Sequence, residues 1–136
     1  MPRAQTSAHL DPVTKPMAVV FYEHLLPGSK VVNKLTDLGY RVKVTQVASM
    51  VIETVRQEKP IVLVADLALR HGDFCGIIAE LKRNPETEHV PVLGFTNTKN
   101  QKLVDAAVAA GAKLVAADTG IIDQLPQLLD HVLAVE

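Results

Sequence analysis

Pro60-Ile61-Val62-Leu63-Val64-Ala65-Asp66 and Val90-Pro91-Val92-Leu93-Gly94-Phe95-Thr96 decide the fold. Each is a continuous apolar, largely β-branched run that stops on one polar residue. Runs of this kind read as strands buried on both faces, the pattern of a parallel sheet covered by helices. In open parallel sheets, ligands and chemistry gather outside the carboxyl ends of the strands. Asp66 and Thr96 are therefore the first candidate site residues.

The rest of the chain repeats the alternation. Ala18-Val19-Val20-Phe21 is a further buried strand. Pro27-Gly28-Ser29 opens a helix, with Ser29 as its predicted N-cap, an inward stripe of Val31, Leu35 and Leu38, and a stop at Gly39. Arg41 to Val47 alternates with period two, which predicts an edge strand with one wet face. A helix over about 49–58 precedes Pro60. Asp73 to Arg83 is helical through Ile77, Ile78 and Leu81 and ends at Asn84-Pro85. A helix over about 99–110 carries Leu103, Val104 and Val108 and closes at Gly111. Lys113 to Ala117 is the fifth strand and Ile121 to Val135 the last helix. Strands alternating with helices of this length imply right-handed crossovers and a sheet covered on both faces. The expectation is α/β, a three-layer αβα sandwich on a five-stranded parallel sheet in the flavodoxin-like order 2-1-3-4-5.

Composition narrows the function. The chain has 136 residues, 48% of them hydrophobic, and a formal net charge of −1. That suits one domain with a real core and argues against disorder and against nucleic-acid binding by overall basic charge. No apolar run reaches the roughly 18 residues that span a bilayer. Residues 1–16 hold three prolines and no periodicity, so they read as a flexible N-terminal leader ahead of a domain over 17–136. Met1 to Pro16 has no secretory apolar core, and the expected location is cytoplasmic. Cys75 is the single cysteine, which excludes an intrachain disulfide. A thiol in the first turn of a helix can have a lowered pKa, but a small core thiol is the simpler reading.

With these elements in place, residues 17–136 resemble the receiver domain of two-component response regulators. Asp66-Leu67 stands where receivers carry the phospho-accepting aspartate. Asp73 matches an acidic residue at the start of the third helix, Val90-Pro91-Val92 through Thr96 the fourth strand and its switch hydroxyl, and Gly111-Ala112 the pair before the fifth strand. The resemblance implies a signalling module rather than an enzyme, and because five βα units use up the chain, the expectation is a stand-alone module whose output is protein contact. A sensor histidine kinase would supply the phosphoryl group and a downstream signalling protein would read it, without nucleic acid or membrane. It also implies Mg²⁺ beside the acceptor, held here by Glu23, Asp66 and the backbone carbonyl of Ala68. The face of the fourth helix, fifth strand and fifth helix would serve partners or a homodimer. It offers the small-residue surface around Ala106, Ala107, Ala109 and Ala110 plus Ile121, Ile122 and Leu125, most of them expected in the core, so that an apolar excess left exposed there would predict homodimerisation.

The resemblance also has departures. Tyr22-Glu23 replaces the usual acidic pair after the first strand. Asp118 stands at the position of the phosphoryl-binding lysine, and Val115 at that of a switch aromatic. A phosphoryl group adds about −1.5 to −2 charge at neutral pH. Two unit charges about 4 Å apart interact by roughly 4 kcal/mol at an effective dielectric near 20, so exchanging an attractive Lys for a repulsive Asp swings the phosphorylated state by several kcal/mol at most. The expectation is a degenerate receiver, or pseudo-receiver, that acts by protein contact, with Lys99, Arg70 or His71 available as substitute cations.

Plainer roles exist for the same residues. Asp66 can cap the following turn, Thr96 can bond its loop or help Asn97 and Thr98 cap the next helix, and Asp118-Thr119 can cap the last one. Glu23-His24 reads as a solvated loop. A small flavodoxin-like ligand-binding or catalytic protein is the alternative class. However, Glu23 to Ser29 has only one glycine and one serine for a phosphate-binding loop, and no Gly-x-Gly-x-x-Gly occurs.

Overall fold

The computed structural model describes residues 15–134 apart from His71 and Thr98. The expected leader lies almost wholly outside the described residues, as do the His71 cation, Thr98 and the end of the last helix at Val135. The elements are β1 (Met17–Phe21), α1 (Leu25–Asp37), β2 (Arg41–Thr45), α2 (Val51–Glu58, after a 3-10 turn at Ala48–Met50), β3 (Val62–Asp66), α3 (Cys75–Arg83), β4 (Val92–Thr96), α4 (Gln101–Ala110), β5 (Leu114–Ala117) and α5 (Ile121–Val132). All strand pairs are parallel and the order is β2-β1-β3-β4-β5, as the alternation predicted.

Two apolar clusters hold the three layers together. On one face of the sheet Val19, Leu63, Ala65 and Val92 pack against Val51 and Val55 of α2, Ile78 and Leu81 of α3, and Leu103 and Ala107 of α4. On the other, Ala18, Val20, Val62, Val64, Leu93 and Phe95 pack against Val31 and Leu35 of α1 and Ile121, Leu125, Leu129 and Val132 of α5. Every residue of β3 is buried, so its period-two sides feed both clusters at once. Phe21 and Phe74 stack with ring centroids 5.0 Å apart, tying the end of β1 to the entry of α3.

Several local expectations give way to tertiary packing. Leu26 is extended (φ −111°, ψ 133°) because the ring of Pro27 disfavours helical geometry in the residue before it. Regular helix therefore begins at Pro27, and Ser29 lies inside it rather than capping it. Leu38 is 39% exposed and Val108 54%, so each apolar stripe is one residue shorter than its periodicity suggested. The strand over 41–47 ends at Thr45. At the last helix, Gly120 is the N-cap and no side chain caps it, which removes the capping role expected of Asp118-Thr119. Ile121, Leu125 and Ala107 are fully buried and belong to the core, as expected of most of the partner-face residues.

Gly94 marks the tightest approach near the site end of the sheet. A Cβ there would lie 2.8–2.9 Å from the γ and δ carbons of Leu67, which is itself fully buried. Leu67 is enclosed by other core side chains, so its displacement passes on to them. Gly94→Ala is expected to lower stability by about 1–3 kcal/mol through overpacking, read as a lower urea midpoint at unchanged slope.

Candidate functional site

Asp66 is the last residue of β3 and its side chain is 8% exposed. Its Oδ1 accepts the backbone N–H of Ala68 at 3.2 Å, and its Oδ2 lies 3.1 Å from Nδ1 of His24. Asp66 thus combines the turn-capping role with a place at the rim. The imidazole comes from the β1–α1 loop. β1 and β3 pair in register, Phe21 beside Ala65, which sets the residues after Phe21 level with Asp66. His24, read from sequence as part of a solvated loop, is half-exposed and is the side chain that meets the carboxylate. The only local signal for it was its place three residues past the end of a strand.

The two residues in the usual acidic positions diverge. Tyr22 is buried, its ring in the α1–α5 cluster and against Gly28, where an added Cβ would overlap it. The single glycine of this loop is thereby covered, which leaves a poor phosphate cradle and disfavours the flavodoxin-like alternative. Glu23 stays at the rim. Its Oε1 accepts the backbone N–H of Arg70 at 2.8 Å, and Nη2 of Arg70 approaches the Glu23 carbonyl at 3.5 Å. Glu23 and Arg70 therefore stitch the loops after β1 and β3 together.

Thr96 ends β4, buried at 4% exposure, one residue beyond the Asp66–Phe95 register pair. Its carbonyl accepts the backbone N–H of Asp118 at 2.9 Å, so the chain leaves β5 directly beside it. The backbones of residues 66, 96 and 118 thus adjoin at one rim. Strand alternation assigns Asp66 to the side of Val62 and Val64 and Thr96 to the side of Val92 and Gly94. No hydrogen bond joins the side chains of 66, 96 and 118. The expected cap of α4 by Thr96 falls instead to Asn100, whose side chain accepts the Leu103 N–H.

The donors at this rim are oxygens, the type a hard cation takes. Asp66 and Glu23 offer carboxylate oxygens. The bridge between Ala68 and Asp73 uses Phe74 N–H to Leu67 O and Leu69 N–H to Gly72 O, which leaves the Ala68 carbonyl outside it. Oxygen donors of this kind fit Mg²⁺, although Asp66 would have to exchange its hydrogen bonds to bind it. Among the described residues there is no group of three or more His, Cys, Asp and Glu side chains placed to hold a metal. A hollow of about 530 Å³ adjoins this rim, lined by Ala68, Leu69, Asp73, Asn100 and Lys102. A cavity of similar size, about 550 Å³, lies at the opposite rim between Ile61, Lys82, Pro91 and Lys113. It is remote from Asp66, and both lysines there already bond backbone carbonyls.

No family model matches the sequence, and no curated protein resembles it in sequence. The fold, in contrast, is matched closely by solved structures. The receiver domain of sensor histidine kinase PA1611 from Pseudomonas aeruginosa, with magnesium coordinated in its active site cleft, superposes with TM-score 0.79 at 16% identity, over 88% of this chain and 98% of that one. The chemotaxis response regulator CheY4 of Vibrio cholerae gives 0.78 at 16%, over 88% and 100%. The phosphorylated cyanobacterial phytochrome response regulator RcpA gives 0.76 at 13%, over 89% and 96%. This chain has the CheY-like receiver fold, and at these identities the likeness speaks for the fold alone.

Cys75, at the first turn of α3, is held as a thiol. Burial and then the adjacent Asp73 carboxylate, which also accepts the Cys75 N–H at 2.9 Å, push its pKa up to about 11. The lowered value that a helix N-terminus can produce is therefore not realised. Since the thiolate is the reactive form, iodoacetamide labelling at about pH 8.5 should be slow compared with a free cysteine. Asp73→Asn keeps an oxygen acceptor for the Cys75 N–H and removes the charge, so it should speed the labelling.

Proposed function

We propose that this chain is a receiver-type signalling module of a two-component phosphorelay, with Asp66 as the candidate phosphoryl acceptor. The observation that carries the reading is the carboxylate of Asp66 itself, held at the carboxyl end of the central strand of a receiver fold and facing the half-exposed His24. Transfer would form a bond between an Asp66 oxygen and phosphorus and break the nitrogen–phosphorus bond of a kinase phosphohistidine, whose nitrogen keeps the electron pair. Glu23, Asp66 and the Ala68 carbonyl would hold Mg²⁺, which neutralises phosphoryl charge when bound. Thr96 is the candidate switch hydroxyl.

The site is degenerate in this reading. Asp118 occupies the place of the lysine, so the phosphorylated state meets an anion where the family has a cation. Output then rests on protein contact, with a sensor kinase or a downstream protein as partner and a cytoplasmic setting. The partner face on α4 and β5 reduces to exposed Ala106, Val108 and Ala109, a small apolar surface suited to another protein or a second copy.

Acetyl phosphate with Mg²⁺, followed by intact mass, tests this reading. The wild type should label slowly and at one site, Asp66→Asn should not label, and Asp118→Lys should label about tenfold faster or more. Rapid, complete labelling that Asp118→Lys does not improve would overturn the degenerate description. Labelling that survives Asp66→Asn would overturn the acceptor.

A further inference from the structure

The group that faces the acceptor here is not at the lysine position. We infer that His24 is the phosphoryl-binding residue of this site, its ring N–H holding an oxygen of the group on Asp66 in place of the missing lysine. The inference rests on the reading of Asp66 as acceptor and extends it to a residue to which neither the resemblance nor the comparisons assign a role.

Three observations carry it. First, the two oxygens of Asp66 are not equivalent. Oδ1 is bound to the Ala68 N–H within its own turn, while Oδ2 is turned to His24 at 3.1 Å. A phosphoryl group on Oδ2 would bring its oxygens to the imidazole. Second, the ring can give way. The His24 side chain is 50% exposed, and its neighbours Leu25 and Leu26 are 65% and 63% exposed, so Nδ1 has solvent-facing room to withdraw from the carboxylate and reach a phosphoryl oxygen. Third, among the described residues His24 is the one basic side chain that pairs with Asp66; Arg70 lies against the Glu23 carbonyl, and neither Lys99 nor Lys102 bonds the carboxylate. A hydrogen bond from a nitrogen donor to a charged oxygen is among the stronger single interactions a site can offer.

Beryllofluoride with Mg²⁺ is the probe, titrated into the full chain and followed by amide NMR shifts around Asp66. His24→Phe keeps a planar ring and removes the donor, and it should weaken binding about tenfold to a hundredfold, the worth of one such hydrogen bond. His24→Lys restores a nitrogen donor and should bind close to the wild type. If His24→Phe lowers the urea midpoint, His24→Ala replaces it in the comparison. Wild-type affinity in both donor-free variants would overturn the role of His24 and leave Asp66 as acceptor untouched. A wild type that takes up no beryllofluoride, with Asp66→Asn giving the same spectra, would overturn both.

Discussion

The structure depends on the burial of β3 from both sides. Val62, Leu63, Val64, Ala65 and Asp66 are all buried, with alternate side chains committed to the α2–α4 cluster or to the α1–α5 cluster. A strand in that position can bear a polar group only where it leaves the sheet. Asp66 stands at that point, and its carboxylate keeps a small exposed fraction because the helical layers end there. Burial sets both the location of the carboxylate and its limited choice of partners.

The neighbouring strands act on the same rim through register. β1 lies beside β3 with Phe21 opposite Ala65, so the loop after β1 is delivered level with Asp66. Its three successive residues then separate. Tyr22 follows the apolar cluster inward because an aromatic ring is worth more buried than exposed. Glu23 is drawn to the loop after β3 by the Arg70 N–H, and His24 remains to meet the carboxylate. On the other side β4 and β5 end together, and the bond from Asp118 N–H to the Thr96 carbonyl places an acidic residue where the chain turns toward α5.

The electrostatic character of the rim follows from these placements. Glu23, Asp66 and Asp118 gather around strand ends whose polar partners are mainly backbone N–H groups and one imidazole. Divalent cations and nitrogen donors are the groups that can offset the carboxylates of Glu23 and Asp66 toward an incoming anion. At the opposite rim Lys82 and Lys113 are both tied to backbone carbonyls.

Much of this was legible in the sequence because it is periodic. Continuous apolar runs named the buried strands, period two named β2 as an edge, and helical spacing between them dictated parallel crossovers and hence the strand order. Asp66 and Thr96 were legible because each interrupts an apolar run at its end. The errors fell where local rules compete. Pro27 overrode the Ser29 cap, the helix stripes lost Leu38 and Val108 to solvent, and Gly120 took the cap expected of Asp118-Thr119. The pairing of His24 with Asp66 belongs wholly to tertiary structure. It joins residues 42 apart in sequence through strand register, and register between non-adjacent segments leaves no trace in the spacing of either one.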